Sequence, residues 1–125
     1  MTYRDLIVRG QADFAFGETV VICGSTRFMR EMADADRELT WHGYIVLKPG
    51  CNMKEPHELW ADPKKAEAGK ACLDALHRLK IDRACWVLVV NPDGYIGDST
   101  KREIAYAEAR SIPVKYTHPP VNAAQ

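Results

Sequence analysis

The 125-residue sequence lacks an excess of charge of either sign, because 17 Lys and Arg residues balance 17 Asp and Glu residues. A neutral chain does not fit a protein that coats nucleic acid or an anionic membrane, since both need a basic excess. Long apolar runs are also absent. The longest uncharged apolar run, 84–92, is far shorter than the ~20 residues that span a bilayer. We therefore expect no nucleic-acid partner and no membrane contact.

The sequence also lacks the patterns of secretion, disulfide frameworks and zinc sites. Arg4, Asp5 and Arg9 interrupt the N-terminal apolar residues, so no secretory signal is predicted and a cytoplasmic location is expected. No CxxC pair occurs, which indicates reduced, mostly buried thiols and no metal site. The four cysteines are Cys23, Cys51, Cys72 and Cys85.

What is present is the composition of one ordinary globular domain over residues 1–125, with 46% hydrophobic and 27% charged residues. Apolar runs of strand type alternate with segments of helical period. The predicted strands are 19–23, 44–47, 86–90 and 113–116, and the predicted helices are one carrying Phe28, Met32, Ala35 and Leu39 that ends at Gly43, then 66–83 and 99–111.

This alternation predicts an α/β fold: a doubly wound, flavodoxin-like or Rossmann-like parallel sheet with helices on both faces. The core is expected to span about 19–116. A peripheral strand or hairpin is expected around 13–16, an irregular loop over 51–65, and a frayed, flexible tail over 118–125. Because ligands of such folds bind beyond the carboxyl ends of the strands, we expect the loops at 24–27, from 49 onward and 91–99 to meet there.

The first of these loops carries a glycine, two hydroxyls and a guanidinium at a helix N-terminus, where backbone amides favour an anion or sugar hydroxyls. It is neither a GxGxxG motif nor a P-loop, so a dinucleotide or triphosphate site is not indicated. The alternative is that a hydroxyl only caps the helix. The residues are Gly24, Ser25, Thr26 and Arg27.

Glu103 follows the glycine-containing loop 94–98, so its carboxylate can point into the strand-end crevice. Its spacing from Thr100 is also that of a capping box, and spacing alone favours this cap. His77 and Lys80 lie near the end of the second predicted helix, where a cation opposite the helix dipole and a structural histidine are the simpler interpretation.

Three segments resemble the nucleoside 2-deoxyribosyltransferase-like family, which includes nucleoside 5′-monophosphate N-glycosidases. They read VVICGSTRFM, LHRLKIDRACWVLVVNPDGYIG and DSTKREIAYAEARSIPVKY, in this order, and the resemblance covers about 19–116. It implies a flavodoxin-like sheet, a homodimer, and Glu103 of REIAYA as the nucleophile that attacks the anomeric carbon of a (deoxy)ribosyl group. That implication outweighs the capping interpretation.

Two positions depart from the family pattern. Residues 99–102 stand where the family commonly has glycines, and His77 falls where well-known members have an aspartate near the substrate. Sugar and phosphate contacts, base selection and proton delivery are therefore the features expected to differ.

These observations predict an enzyme, an N-glycosidase or deoxyribosyltransferase acting on a nucleoside or nucleoside 5′-monophosphate, without metal or organic cofactor. A carboxylate beneath C1 suits the oxocarbenium-like transition state of this reaction. The alternatives are a non-catalytic nucleotide-binding module and glutamate-dependent cleavage of NAD or another nucleotide conjugate. The catalytic candidates are Glu103, His77 and Tyr95, and the substrate-binding candidates are Gly24, Ser25, Thr26, Arg27, Asn91, Asp93, Gly97, Asp98 and Ser99.

Overall fold

The computed structural model describes residues 17–121, so the hairpin expected at 13–16 lies outside the described residues. Strands and helices alternate over the described range as predicted. The strands are β1 (Thr19–Cys23), β2 (Ile45–Leu47), β3 (Trp86–Val89) and β4 (Val114–Tyr116), and the α-helices are α1 (Met29–Trp41), α2 (Pro63–Asp82) and α3 (Asp98–Ala109).

The four strands form one parallel sheet in the order β2-β1-β3-β4. The chain moves from β1 to β2 on one side and then returns to place β3 on the other side of β1. The carboxyl ends of β1 and β3 therefore flank the switch point, where open α/β sheets bind ligands. This confirms the predicted α/β class and the parallel sheet.

Alternation along the central strands divides the core between the two faces of the sheet. Val20 and Ile22 of β1 pack with α1, and Val21 and Cys23 pack on the opposite face with α2 and α3. Both faces are covered, as a parallel sheet requires.

Two helix ends show how the sequence sets the boundaries. Gly43 follows α1 with a φ of +95°, a conformation that favours glycine, and its amide donates to the Thr40 carbonyl at 3.0 Å. At the start of α2, the Asp62 carboxylate accepts from the amides of Lys64 and Lys65. With Pro63 at the first helical position, α2 begins three residues before the predicted 66.

The irregular loop expected over 51–65 is correspondingly shorter. It also holds a short 3₁₀ turn at Glu58–Trp60, which His57 caps by accepting from the Leu59 amide at 3.0 Å. Side-chain capping, rather than an apolar period, organises this segment.

The predicted tail is wrong for 118–121. The buried Asn91 side chain donates to the His118 carbonyl at 2.9 Å and accepts from the His118 amide at 3.0 Å, and the Val121 amide donates to the Gly94 carbonyl at 3.2 Å. These bonds hold 118–121 against the loop after β3. Residues 122–125 lie outside the described residues.

The expectation of mostly buried thiols is also wrong. Cys23 is buried and Cys51 is half-buried, whereas Cys72 and Cys85 are exposed. Within residues 17–121, no helix has the length and apolarity needed to cross a bilayer.

Candidate active site

A cavity of about 640 Å³ opens at the carboxyl ends of the strands. It lies between the loop after β1, the loop after β2, the first turns of α3 and one side of α2. This confirms that the three loops meet. The volume lies within the ~300–1,000 Å³ of small-molecule sites. Polar or charged lining residues include Ser25, Thr26, Lys54, Glu67, Lys70, Asp74, His77, Lys80, Tyr95, Asp98, Ser99, Thr100 and Glu103.

The loop after β1 passes so close to β3 that only glycine fits at position 24. A Cβ on Gly24 would lie 2.7 Å from the Val90 carbonyl oxygen. Beyond it, the Ser25 hydroxyl accepts from the Arg27 amide at 3.3 Å and so caps the 3₁₀ turn that leads into α1. Ser25 therefore both caps this turn and lines the cavity.

Glu103 faces the cavity from the second turn of α3. The helix begins at Asp98 with Gly97 as its N-cap, three residues earlier than a capping box at Thr100 requires. Thr100 instead lies inside the first turn and is buried. The capping interpretation of Glu103 is therefore wrong, and its side chain, 20% exposed, lines the cavity.

Glu103 belongs to a compact cluster with Cys23 and His77. The Cys23 Sγ and His77 Nε2 atoms lie 3.3 Å apart, and His77 Nε2 and Glu103 Oε2 lie 3.7 Å apart. Each residue comes from a different element: the end of β1, the last turns of α2 and the second turn of α3. The cluster thus exists only because α2 and α3 pack on the same face of the sheet.

Burial sets the protonation of this cluster. Desolvation, helped by the negative charge of Asp74, raises the pKa of Glu103 to about 7. Desolvation, helped by the positive charge of Lys80, lowers the pKa of His77 to about 4, so its imidazole is neutral near pH 7. Burial also raises the pKa of the Cys23 thiol. Near neutral pH, Glu103 is therefore the member that exchanges a proton.

Searches of protein-family models, curated proteins and solved structures found no match to this chain.

Arg27 does not line the cavity directly. Its guanidinium lies 4.0 Å from the centre of the Tyr95 ring, and its Nη2 donates to the Tyr95 hydroxyl at 3.3 Å. Tyr95 does line the cavity and also contacts Phe28 edge to face. The structure therefore places Arg27 behind Tyr95 at the rim, where it orients the phenol.

Two predicted binding residues lie elsewhere. Asn91 is fully buried, and its amide bonds to Thr117 and His118, so it fixes the C-terminal segment and is not available to a ligand. Asp93 is exposed on the 3₁₀ turn 92–94, with a φ of +58°, and does not line the cavity. Both follow β3 as predicted, but this loop turns them away from the crevice.

The remaining predicted residues, Gly97, Asp98 and Ser99, line the cavity at the start of α3. The first amides of a helix have no partner within the helix, so this end can bind a polar ligand group. The Asp98 carboxylate beside this helix end repels a strongly negative ligand group.

Asp74 was missed by the sequence reasoning. It lies three residues before His77 on α2, lines the cavity and acts on the charge of Glu103. The available signal was the helical spacing of three, which places two residues on one side of a helix. Lys70 forms an ion pair with Asp74 at 3.6 Å.

The cluster is also a candidate metal site, which the cysteine spacing did not predict. One ligand atom each from Cys23, His77 and Glu103 lies within 4.8 Å of the other two, a group able to hold a metal ion. Their separation along the chain explains why no sequence motif marks them.

Proposed function

We propose that this protein cleaves or transfers at the N-glycosidic bond of a nucleoside or nucleoside 5′-monophosphate, with Glu103 as the nucleophile. The observation that carries the proposal is the Glu103 carboxylate facing a cavity large enough for a nucleoside at the switch point of the sheet. The sequence resemblance gives Glu103 the same role.

In this reaction a Glu103 carboxylate oxygen bonds to C1 of the sugar as the bond from C1 to the base nitrogen breaks. The electron pair leaves with the base, which takes a proton. Water, or a second base in a transfer reaction, then attacks C1, returns a proton to the group that protonated the leaving base, and restores the carboxylate. With its pKa near 7, a substantial fraction of Glu103 is ionised at neutral pH and able to attack.

Tyr95 is the candidate that assists departure of the base. Its hydroxyl accepts from Arg27, which leaves its own hydrogen free to donate. His77, by contrast, is neutral near pH 7 and directed at Glu103, which fits a positioning role better than proton delivery. Asp98 remains at the cavity as a second acceptor.

Charge around the cavity does not select a phosphorylated substrate. Among the described lining residues, three lysines stand against four carboxylates, and two of the lysines are engaged. Lys70 pairs with Asp74, and the Lys80 ammonium donates to the Lys48 carbonyl at 2.8 Å. The lining lysines are Lys54, Lys70 and Lys80, and the carboxylates are Glu67, Asp74, Asp98 and Glu103.

The test is release of free base from a panel of nucleosides, nucleoside 5′-monophosphates and NAD, followed by chromatography. Glu103→Gln keeps the shape of the side chain and is expected to lower base release by at least about 100-fold while ligand binding persists. Glu108→Gln is the matched control, because Glu108 lies exposed on the same helix and should leave turnover unchanged. Normal turnover by Glu103→Gln, or no base from any substrate with the native protein, would refute the proposal, and binding without release would favour the binding module.

We also propose that the chain forms a homodimer. Trp41, at the end of α1, is 77% exposed, and Ile45 of the edge strand β2 is 52% exposed, which is costly for large apolar side chains in water. Trp60 and Tyr106 are half-buried and contribute less apolar surface. Sedimentation velocity at micromolar concentration should show a dimer that Trp41→Glu converts to a monomer, and a native monomer would contradict this.

A further inference from the structure

We propose that Cys23, His77 and Glu103 form a binding site for a thiophilic divalent cation, Zn²⁺ above all, with one open coordination position toward the cavity. This site goes beyond the proposed glycosidic chemistry, which requires no metal. It rests on the ligand set, its geometry and its burial.

The ligand set is that of zinc. Thiolate, imidazole and carboxylate are the three side-chain groups that bind Zn²⁺ in proteins, and three protein ligands with an open fourth position are typical of sites accessible to small molecules. Magnesium and calcium, which prefer oxygen ligands, are excluded by the sulfur and the nitrogen.

The spacing agrees with tetrahedral coordination. Zinc bonds of about 2.0–2.3 Å at tetrahedral angles place neighbouring ligand atoms about 3.3–3.6 Å apart. The observed separations are 3.3 Å between Cys23 Sγ and His77 Nε2 and 3.7 Å between His77 Nε2 and Glu103 Oε2, with all three atoms within 4.8 Å of one another. Small side-chain movements therefore suffice to bind the ion.

Burial and access also fit. Cys23 is fully buried at the end of β1, His77 is 7% exposed by its side chain, and Glu103 opens onto the cavity. An ion can enter through the cavity, and the walls behind it are formed by the packed sheet face. A cation there would also compensate the carboxylate and thiolate that burial otherwise disfavours.

Binding would engage the Glu103 carboxylate as a metal ligand. The same group cannot then attack C1, so the metal-loaded protein is expected to release no base. Metal binding itself does not depend on the glycosidic chemistry, because it is measured without any substrate.

The experiment is titration of the chelator-treated 125-residue chain with Co²⁺, followed by displacement with Zn²⁺. Co²⁺ bound by a thiolate in a tetrahedral site gives a sulfur-to-metal charge-transfer band and intense visible bands. We expect one Co²⁺ per chain with both features, and loss of both when Zn²⁺ is added. An octahedral spectrum without the charge-transfer band would overturn the proposal.

Variants assign the ligands. Cys23→Ser should abolish the charge-transfer band and weaken Zn²⁺ binding, measured by calorimetry, by at least about 100-fold, because loss of even an outer-shell partner costs 10–100-fold. Cys51→Ser is the matched control, since Cys51 lines the same cavity outside the cluster. A band that persists in Cys23→Ser and disappears in Cys51→Ser would overturn the assignment.

Glu103→Gln provides a second measurement should Cys23→Ser fail to fold. It should keep the sulfur-to-metal band, because Cys23 remains, and weaken Zn²⁺ binding to the same degree. Unchanged Zn²⁺ affinity in this variant would contradict the three-residue site. Absence of base release from the chelator-treated native protein would refute the proposed function alone and leave the metal site standing.

Discussion

The two faces of the sheet are built differently. On one face, the 13-residue α1 buries Met32, Ala35 and Leu39 against an entirely apolar layer. On the other, the 20-residue α2 buries only His77 and Ile81, both near its C-terminal end. The first half of α2 borders the cavity instead of packing on the sheet. The α1 face, called the closed face below, is therefore filled by packed side chains, whereas the α2 and α3 face, called the open face, has a core of its own and also leaves space for a ligand.

The polar cluster lies on the open face for a physical reason. Cys23 continues the β1 alternation onto the α2 and α3 face, next to the switch point, where the connections that follow β1 and β3 lead to opposite faces of the sheet. Buried polar groups are stable where hydrogen-bond partners are close. Cys23 has such a partner in His77, which in turn lies next to Glu103. The closed face has no described polar side chain in its buried layer.

The largest difference between the faces should appear in packing energy. Leu39→Ala creates a cavity in the closed face and is expected to lower the free energy of unfolding by about 3 kcal/mol. Leu73→Ala, at the cavity wall of α2, should cost about 1 kcal/mol or less, because water already reaches this side chain. Urea unfolding measures both, and equal losses would contradict the contrast.

The pH dependence of stability should reveal the two titrating groups of the open face. The His77 pKa is lowered to about 4, so its contribution to stability is lost as pH falls from about 6.5 to about 4. The Glu103 pKa is raised to about 7, so its contribution is lost as pH rises from about 4.5 to about 7. In the native protein these slopes oppose each other between about pH 4.5 and 6.5.

Removing one of the two titrating groups makes the pH dependence due to the other measurable. In chelator, the free energy of unfolding of Glu103→Gln should rise by about 3 kcal/mol between pH 4 and 6.5, and that of His77→Gln should fall by a similar amount between pH 4.5 and 7. Denaturant melts at several pH values check this, with Glu108→Gln following the native curve. Parallel curves for all four proteins would show that burial does not shift these groups.

The smallest predicted effect concerns Arg27, which precedes α1 and lies beside Tyr95 at the rim of the cavity. Because Arg27 contacts Tyr95 rather than the cavity, Arg27→Ala should raise KM only several-fold, and equally for a nucleoside and its 5′-monophosphate. Tyr95→Phe removes the hydroxyl that accepts from Arg27, so it breaks the same contact. The rise in KM of the double variant is therefore expected to be smaller than the sum of the two single effects. A KM increase confined to the monophosphate would instead assign phosphate binding to Arg27.

The sequence by itself determined the architecture. The β-branched run of β1, the apolar run of β3 and the helical periods between them specify a parallel α/β sheet, since period and strand burial are local properties. The sequence also located the loops of the site, because parallel strands bring their carboxyl ends to one edge. Ser25 and Tyr95 were identified on that basis, and Glu103 on its position together with the family resemblance; all three line the cavity.

Tertiary packing alone decided which side chains meet. Cys23 and His77 are separated by 54 residues, and the docking of α2 on the sheet sets their 3.3 Å contact. Asn91 and Arg27 occupy predicted loops, yet the first turns inward to His118 and the second stacks on Tyr95. Chain position fixes the end of the sheet at which a residue lies, whereas its direction depends on packing between elements distant in sequence. No local pattern encodes that direction.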